Sequence, residues 1–183
     1  MEKFVPRSFN MGYSRKVYDT VGGFRELFSE AIDMSTRIRQ AGFSIGLIHP
    51  AHVFHKRRVD FARFWRQVYV FGMSRITLKL LYPDSLKLVH TLPALAVIIG
   101  VLLVLLGIFV TPWFLLPIGI YLVAIFLSAW IATRSLGIAL RAVPASVVQI
   151  CGYGCGFIKA FFTKIILRRG RNIEEEIKIR KGK

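Results

Sequence analysis

The sequence predicts an α/β fragment followed by an α-helical membrane region, built as a two-span hairpin flanked by interfacial helices. Three observations carry this expectation. A glycine turn opens a capped helix that sits between short stretches of alternating apolar and polar residues. From Leu92 to Thr133 there are 42 residues without one Asp, Glu, Lys or Arg. At 1.5 Å per residue that run makes about 60 Å of helix, enough to cross a ~30 Å hydrocarbon core twice. The charge surrounds this run, since fifteen of the 26 Lys and Arg precede it, three lie between Arg134 and Lys159 and eight fall in 164–183.

The hydrophobic share of 54% and mean hydropathy of +0.52 are too high for an ordinary soluble chain of 183 residues. A net charge of +16 invites a nucleic-acid reading, but basic residues stacked on both flanks of an uncharged hairpin form a positive-inside pattern. The expected partners are therefore membrane lipids and no nucleic acid, with both termini in the cytoplasm. Cys151 and Cys155 lie in an apolar segment with no nearby His. They lack the four ligands of a structural zinc site and read as small packing residues.

Taken in order, Met1–Tyr18 reads as loop and strand leading into the Gly22-Gly23 turn. Ser29 is a good N-cap for a helix that ends with Gly42 as its C′ residue. Ile32, Met34, Ile38 and Ala41 give that helix a partial inner face, while Glu30 and Asp33 in the first turn and Arg37 and Arg39 near the end suit its dipole. Phe43–Ile48 and Ala51–Phe54 alternate as short strands around the breaker Pro50. Asp60–Tyr82 spaces Phe61, Phe64, Trp65, Val68 and Phe71 as an amphipathic interfacial helix.

Thr111-Pro112-Trp113 then splits the uncharged run into spans near Pro93–Val110 and Phe114–Ala132. Ala142–Ile158 is a third apolar run, interrupted by Gly152, Gly154 and Gly156. A crossing there would carry the basic tail outside, so it reads as re-entrant or interfacial, its glycines allowing close helix approach. The predicted units are residues 1–59, 60–90, 91–133, 134–167 and the basic tail 168–183.

The stretch Gly22-Gly23-Phe24-Arg25-Glu26-Leu27-Phe28-Ser29-Glu30-Ala31-Ile32-Asp33-Met34-Ser35-Thr36-Arg37-Ile38-Arg39-Gln40-Ala41-Gly42 resembles the acceptor-side segment of family 2 glycosyltransferases. After the aromatic that matches Phe28, that segment usually carries a glycine and then a Glu-Asp pair. Two positions depart, with Ser29 in place of a glycine and Ala31 in place of the aspartate that acts as general base. Phe9–Arg15 is similar to the family's N-M-(A/G)-(F/Y)-x-R segment, Phe64–Tyr69 to its F-x-(R/K)-Q motif and Tyr153–Phe157 to its Y-G-x-G-F segment.

The resemblance implies the C-terminal portion of a membrane-anchored enzyme of the bacterial exopolysaccharide or surface-glycan type, with residues 1–59 as the acceptor-side part of a GT-A catalytic domain. It implies inverting transfer of a sugar from a nucleotide donor to a lipid-linked acceptor at the inner-membrane face. Catalytic positions carry over to Glu30, Ala31 and Asp33, and acceptor binding to Asn10, Gly23, Phe24, Trp65 and Gln67. Arg57 and Arg58 would face the donor diphosphate. His55 would help hold a divalent metal, Mg or Mn, in the intact enzyme.

No Asp-x-Asp pair occurs in the sequence, so the donor-binding half is expected in a separate N-terminal piece. An alanine accepts no proton. Two further readings therefore stand: a catalytically inactive remnant or membrane-anchored partner subunit, and a small basic membrane protein unrelated to sugars.

Overall fold

The computed structural model describes residues 5–6, 8–54 and 60–167. Its helices are α1 (Arg15–Val21), α2 (Glu30–Gln40), α3 (Phe61–Leu81), α4 (Leu92–Phe109), α5 (Leu116–Thr133) and α6 (Leu136–Ala160), the last continued by a π-helical turn over Phe161–Ile166. Among the described residues there is no strand, so the predicted α/β fragment is not formed and the GT-A assignment of residues 1–59 is corrected.

The reason is local for the first segment and non-local for the others. Ser14 accepts a hydrogen bond from the Val17 amide and caps α1, turning the predicted strand before Gly22 into helix. Phe43–Ile48 and Ala51–Phe54 are not helical, yet neither finds a neighbour among the described residues to complete a ladder. Alternation specifies which side chains face in, whereas a strand also needs a partner for its backbone groups.

The α2 terminus is as the glycine suggests. Gly42 takes φ +82° at C′, its amide bonds the Arg39 carbonyl, and the Phe43 amide bonds the Ile38 carbonyl. This pair of bonds is a Schellman motif. It folds Phe43 back onto a small core of Val17, Met34 and Ile38, with Met11, Tyr13, Val21 and Ile45 around it. At the other end Ser29 stands at the N-cap without making a side-chain cap, its hydroxyl buried and unpartnered.

The membrane part also differs from expectation. Three helices, over Leu92–Phe109, Pro112–Thr133 and Leu136–Ile166, are long and apolar enough to cross a membrane. The third is one more candidate than the expected two-span hairpin contains, because α6 starts six residues before Ala142 and runs on through the glycines. Those glycines serve packing rather than interruption. Arg134, left-handed at φ 53°, makes the turn between α5 and α6.

α3 and α6 lie side by side in parallel, with Val68 against Gly152, Tyr69 against Gly156 and Thr77 bonded by Lys164. A Cβ on Gly156 would overlap the Tyr69 carbonyl oxygen, and one on Gly72 the Tyr153 carbonyl oxygen. Only glycine lets two backbones approach this far. Gly154 receives the Pro93 carbonyl of α4 in the same way, at 2.6 Å from where a Cβ would sit. Ile76, Ala94, Phe157 and Ala160 complete the second core. α4 and α5 touch little apart from their joining turn, and an apolar crevice of about 660 Å³ opens between them and α6.

Candidate functional site

The centre of the N-terminal unit is Asp33. Its side chain is fully buried, with Arg37 Nε 3.0 Å from Oδ2, Arg25 Nη1 3.4 Å from Oδ1 and the Tyr82 hydroxyl donating to Oδ1 at 2.7 Å. Arg37 spends its remaining donors on the glycine turn, bonding the Val21 carbonyl and, at 2.9 Å, the Gly23 carbonyl. A buried charge is tolerated only when paired and hydrogen-bonded, and here both partners are. The turn, the helix and the segment after α3 are thus tied by one cluster.

This cluster acts on Tyr82 as well. Burial, then the hydrogen bond to Asp33 and the aspartate's charge, push the phenol well above its ordinary range, against weaker opposing effects of Arg25 and Arg37. Tyr82 therefore remains a donor at any physiological pH. His90, in the turn before α4, is held below its usual value by burial and then by the nearby charges of Arg75 and Lys87.

A cleft of about 460 Å³ is lined by Phe28, Arg63, Arg66, Gln67 and Val70. Phe28 is fixed by an edge-to-face contact with Phe71, ring centroids 5.7 Å apart. Asp60 caps α3 by accepting from the Arg63 amide, and its carboxylate pairs with the Arg63 guanidinium at 3.1 Å. The cleft lies between Phe28, just ahead of α2, and the first basic turns of α3.

The structure separates the predicted site residues. Gln67 lines this cleft, whereas Trp65 packs over Gly152 on α6. Glu30 and Ala31 open α2 two and three residues after Phe28 and are half-buried, and the Ala31 carbonyl accepts from the Ser35 hydroxyl. Asp33 has both carboxylate oxygens engaged in the cluster. Gly23 contributes its carbonyl to Arg37, and Phe24 sits edge-on to Tyr13 at 6.1 Å.

Asn10 lies elsewhere, in a groove of about 960 Å³ between Phe9–Ser14 and Phe43–Val53. His55, Arg57 and Arg58 lie outside the described residues. Among the described residues no three His, Cys, Asp or Glu converge to hold a metal ion, so no step is assigned to one. His52 stacks edge-on with Phe54 and its Nδ1 lies 3.1 Å from the Pro50 carbonyl, a local contact of an exposed loop.

Sequence reasoning missed the roles of Arg25, Arg37 and Tyr82. The Asp33–Arg37 spacing of four was a legible signal, because it puts opposite charges on one helix face. Tyr82 carried none, being 49 residues from its partner.

No protein-family model, no curated protein and no solved structure matches this chain.

Proposed function

We propose that this chain is the acceptor-side and membrane-anchoring portion of a family 2 glycosyltransferase, acting at the cytoplasmic face of a bacterial inner membrane. In this reading the nucleotide sugar is held by a separate N-terminal half together with a divalent metal, and the acceptor is a lipid-linked glycan. The observation that carries it is the near-continuous agreement over Gly22–Gly42 with that family's acceptor-side segment. The Asp33–Arg37–Tyr82 cluster supports it, since it ties this stretch to the end of α3, ten residues ahead of the first candidate span.

Ala31 stands at the general-base position, so transfer by the assembled pair is expected to be slow. The test is sugar transfer to membrane lipid in inner-membrane vesicles holding this chain and a nucleotide-binding half. Ala31→Asp is expected to raise the rate by about 10²–10⁴-fold, the usual contribution of a general base. No transfer with either residue, with the chain inserted and the donor half folded, overturns the reading and leaves the second one, a membrane-anchored subunit without catalysis, which the same alanine favours.

The charge bias favours cytoplasmic termini at both ends. Reporter fusions after Lys183 and at Trp113 decide this. A C-terminal reporter active only outside makes α6 a third crossing.

A further inference from the structure

The cleft beside α2 has a chemistry of its own. Arg63, Arg66 and Gln67 occupy adjoining positions at the start of α3, and Phe28 with Val70 supplies an apolar wall. Among the described residues Asp60 alone pairs with either guanidinium group, through Arg63, and that pair is solvent-exposed on both sides. Arg66 makes no ion pair among the described residues. The cleft therefore keeps a net positive charge with planar donor forks and a side-chain amide directed at one small volume.

Its setting is the edge of a membrane. α3 leaves Phe61, Trp65 and Phe71 exposed around the same turns, then passes through two short turns into α4, the first of the candidate spans. Aromatic rings interleaved with arginines are what a headgroup layer accommodates. Arginine forks bind phosphate oxygens in pairs.

We propose that the cleft between Phe28 and the Arg63–Arg66–Gln67 edge of α3 binds the phosphate of an anionic membrane lipid, whose acyl chains run along the apolar wall of Phe28 and Val70. This does not rest on the glycosyltransferase reading, because it follows from charge, shape and position alone. Val70 and Phe28 set the depth. Gln67 adds a donor that distinguishes a seated phosphate from one merely attracted to the surface.

The test uses the full chain in nanodiscs of phosphatidylcholine with a minor share of phosphatidylglycerol, and counts lipids retained on gentle release into the gas phase. Wild type is expected to keep one phosphatidylglycerol. Arg63→Gln with Arg66→Gln is expected to weaken retention about 100-fold, since each charge-assisted bond to a seated phosphate is worth about tenfold. The charge-matched control Lys79→Gln with Lys87→Gln, outside the cleft, is expected to cost no more than general surface attraction, about fivefold per charge. Gln67→Ala, which keeps all charge, is expected to lower retention measurably. Equal losses in both double variants, with no effect of Gln67→Ala, would show a bulk charge effect and overturn the proposal. Displacement of the lipid by inorganic pyrophosphate at low concentration would also overturn it, making the occupant a soluble phosphate. Unchanged thermal unfolding of the variants shows that the readout is binding.

Discussion

Two regions of this molecule solve the same problem with opposite chemistry. In the N-terminal unit, α2 is held by an ionic cluster whose central carboxylate has no exposed surface. Between α3 and α6 glycines bring backbone against backbone, and the cations Lys164 and Lys159 meet a hydroxyl, Thr77, and a ring, Tyr69. The first region has a core of three buried apolar residues, too few to bury much surface, so orientation comes from charge. The second lies among candidate spans, where lipid tails are as apolar as the side chains and close packing is what remains to hold helices together.

The sharpest way to break the contrast is Asp33→Ala. It leaves Arg37 buried without its partner and is expected to cost about 3–5 kcal/mol, the usual result of removing one member of a buried pair. Hydrogen exchange of the Glu30–Gln40 amides should become fast while α6 stays protected. If α6 loses protection equally, the two regions are one cooperative unit.

Gly156→Ala tests the other side. The added methyl meets the Tyr69 carbonyl, so the helices must part, at an expected cost of about 1–3 kcal/mol. Gly100→Ala is the control, since nothing lies within 4 Å of the position. Thermal unfolding in detergent should shift for the first and hardly move for the second.

Tyr82→Phe sharpens the comparison most gently, removing one donor to a charged acceptor for about 1.5 kcal/mol at neutral pH. The pH dependence has a fixed sign. Tyr82 is held neutral, its folded value lying above its ordinary 10. Its contribution is whole below pH 10 and is lost as pH rises through the folded value. The gap between wild type and variant should therefore be constant through neutrality and close in strong alkali.

Much of this was legible beforehand, and unevenly so. The α4 and α5 boundaries follow from absence of charge and a Pro-Trp turn, signals that need no partner to be read. The end of α2 follows from Gly42 for the same reason. Phe43–Ile48 could not be settled locally, because a strand is a relation between segments and its alternation says nothing about whether a neighbour exists. On α3 the spacing of the aromatics marks one apolar face for an interface, and Phe61, Trp65 and Phe71 are exposed; what it leaves out is the packed face, where Gly72, Ser74 and Ile76 are buried. Small residues won there because the partner helix is itself glycine-rich. At the site, the motif residues Asp33 and Arg37 were read by helix dipole or by resemblance, and neither view indicated that they grip the glycine turn.

The parallel register of α3 and α6 also fixes an order of events during synthesis. Thr77 and Lys164 stand 87 residues apart in the chain, and every glycine contact between these helices spans a comparable distance. Closing so long a loop is slow compared with forming the helices themselves. α3 therefore leaves the ribosome well before its partner exists, and α4 and α5 are made in between. For that interval its Gly72 face has no α6 to pack against, so α3 gains its close backbone contact last of all.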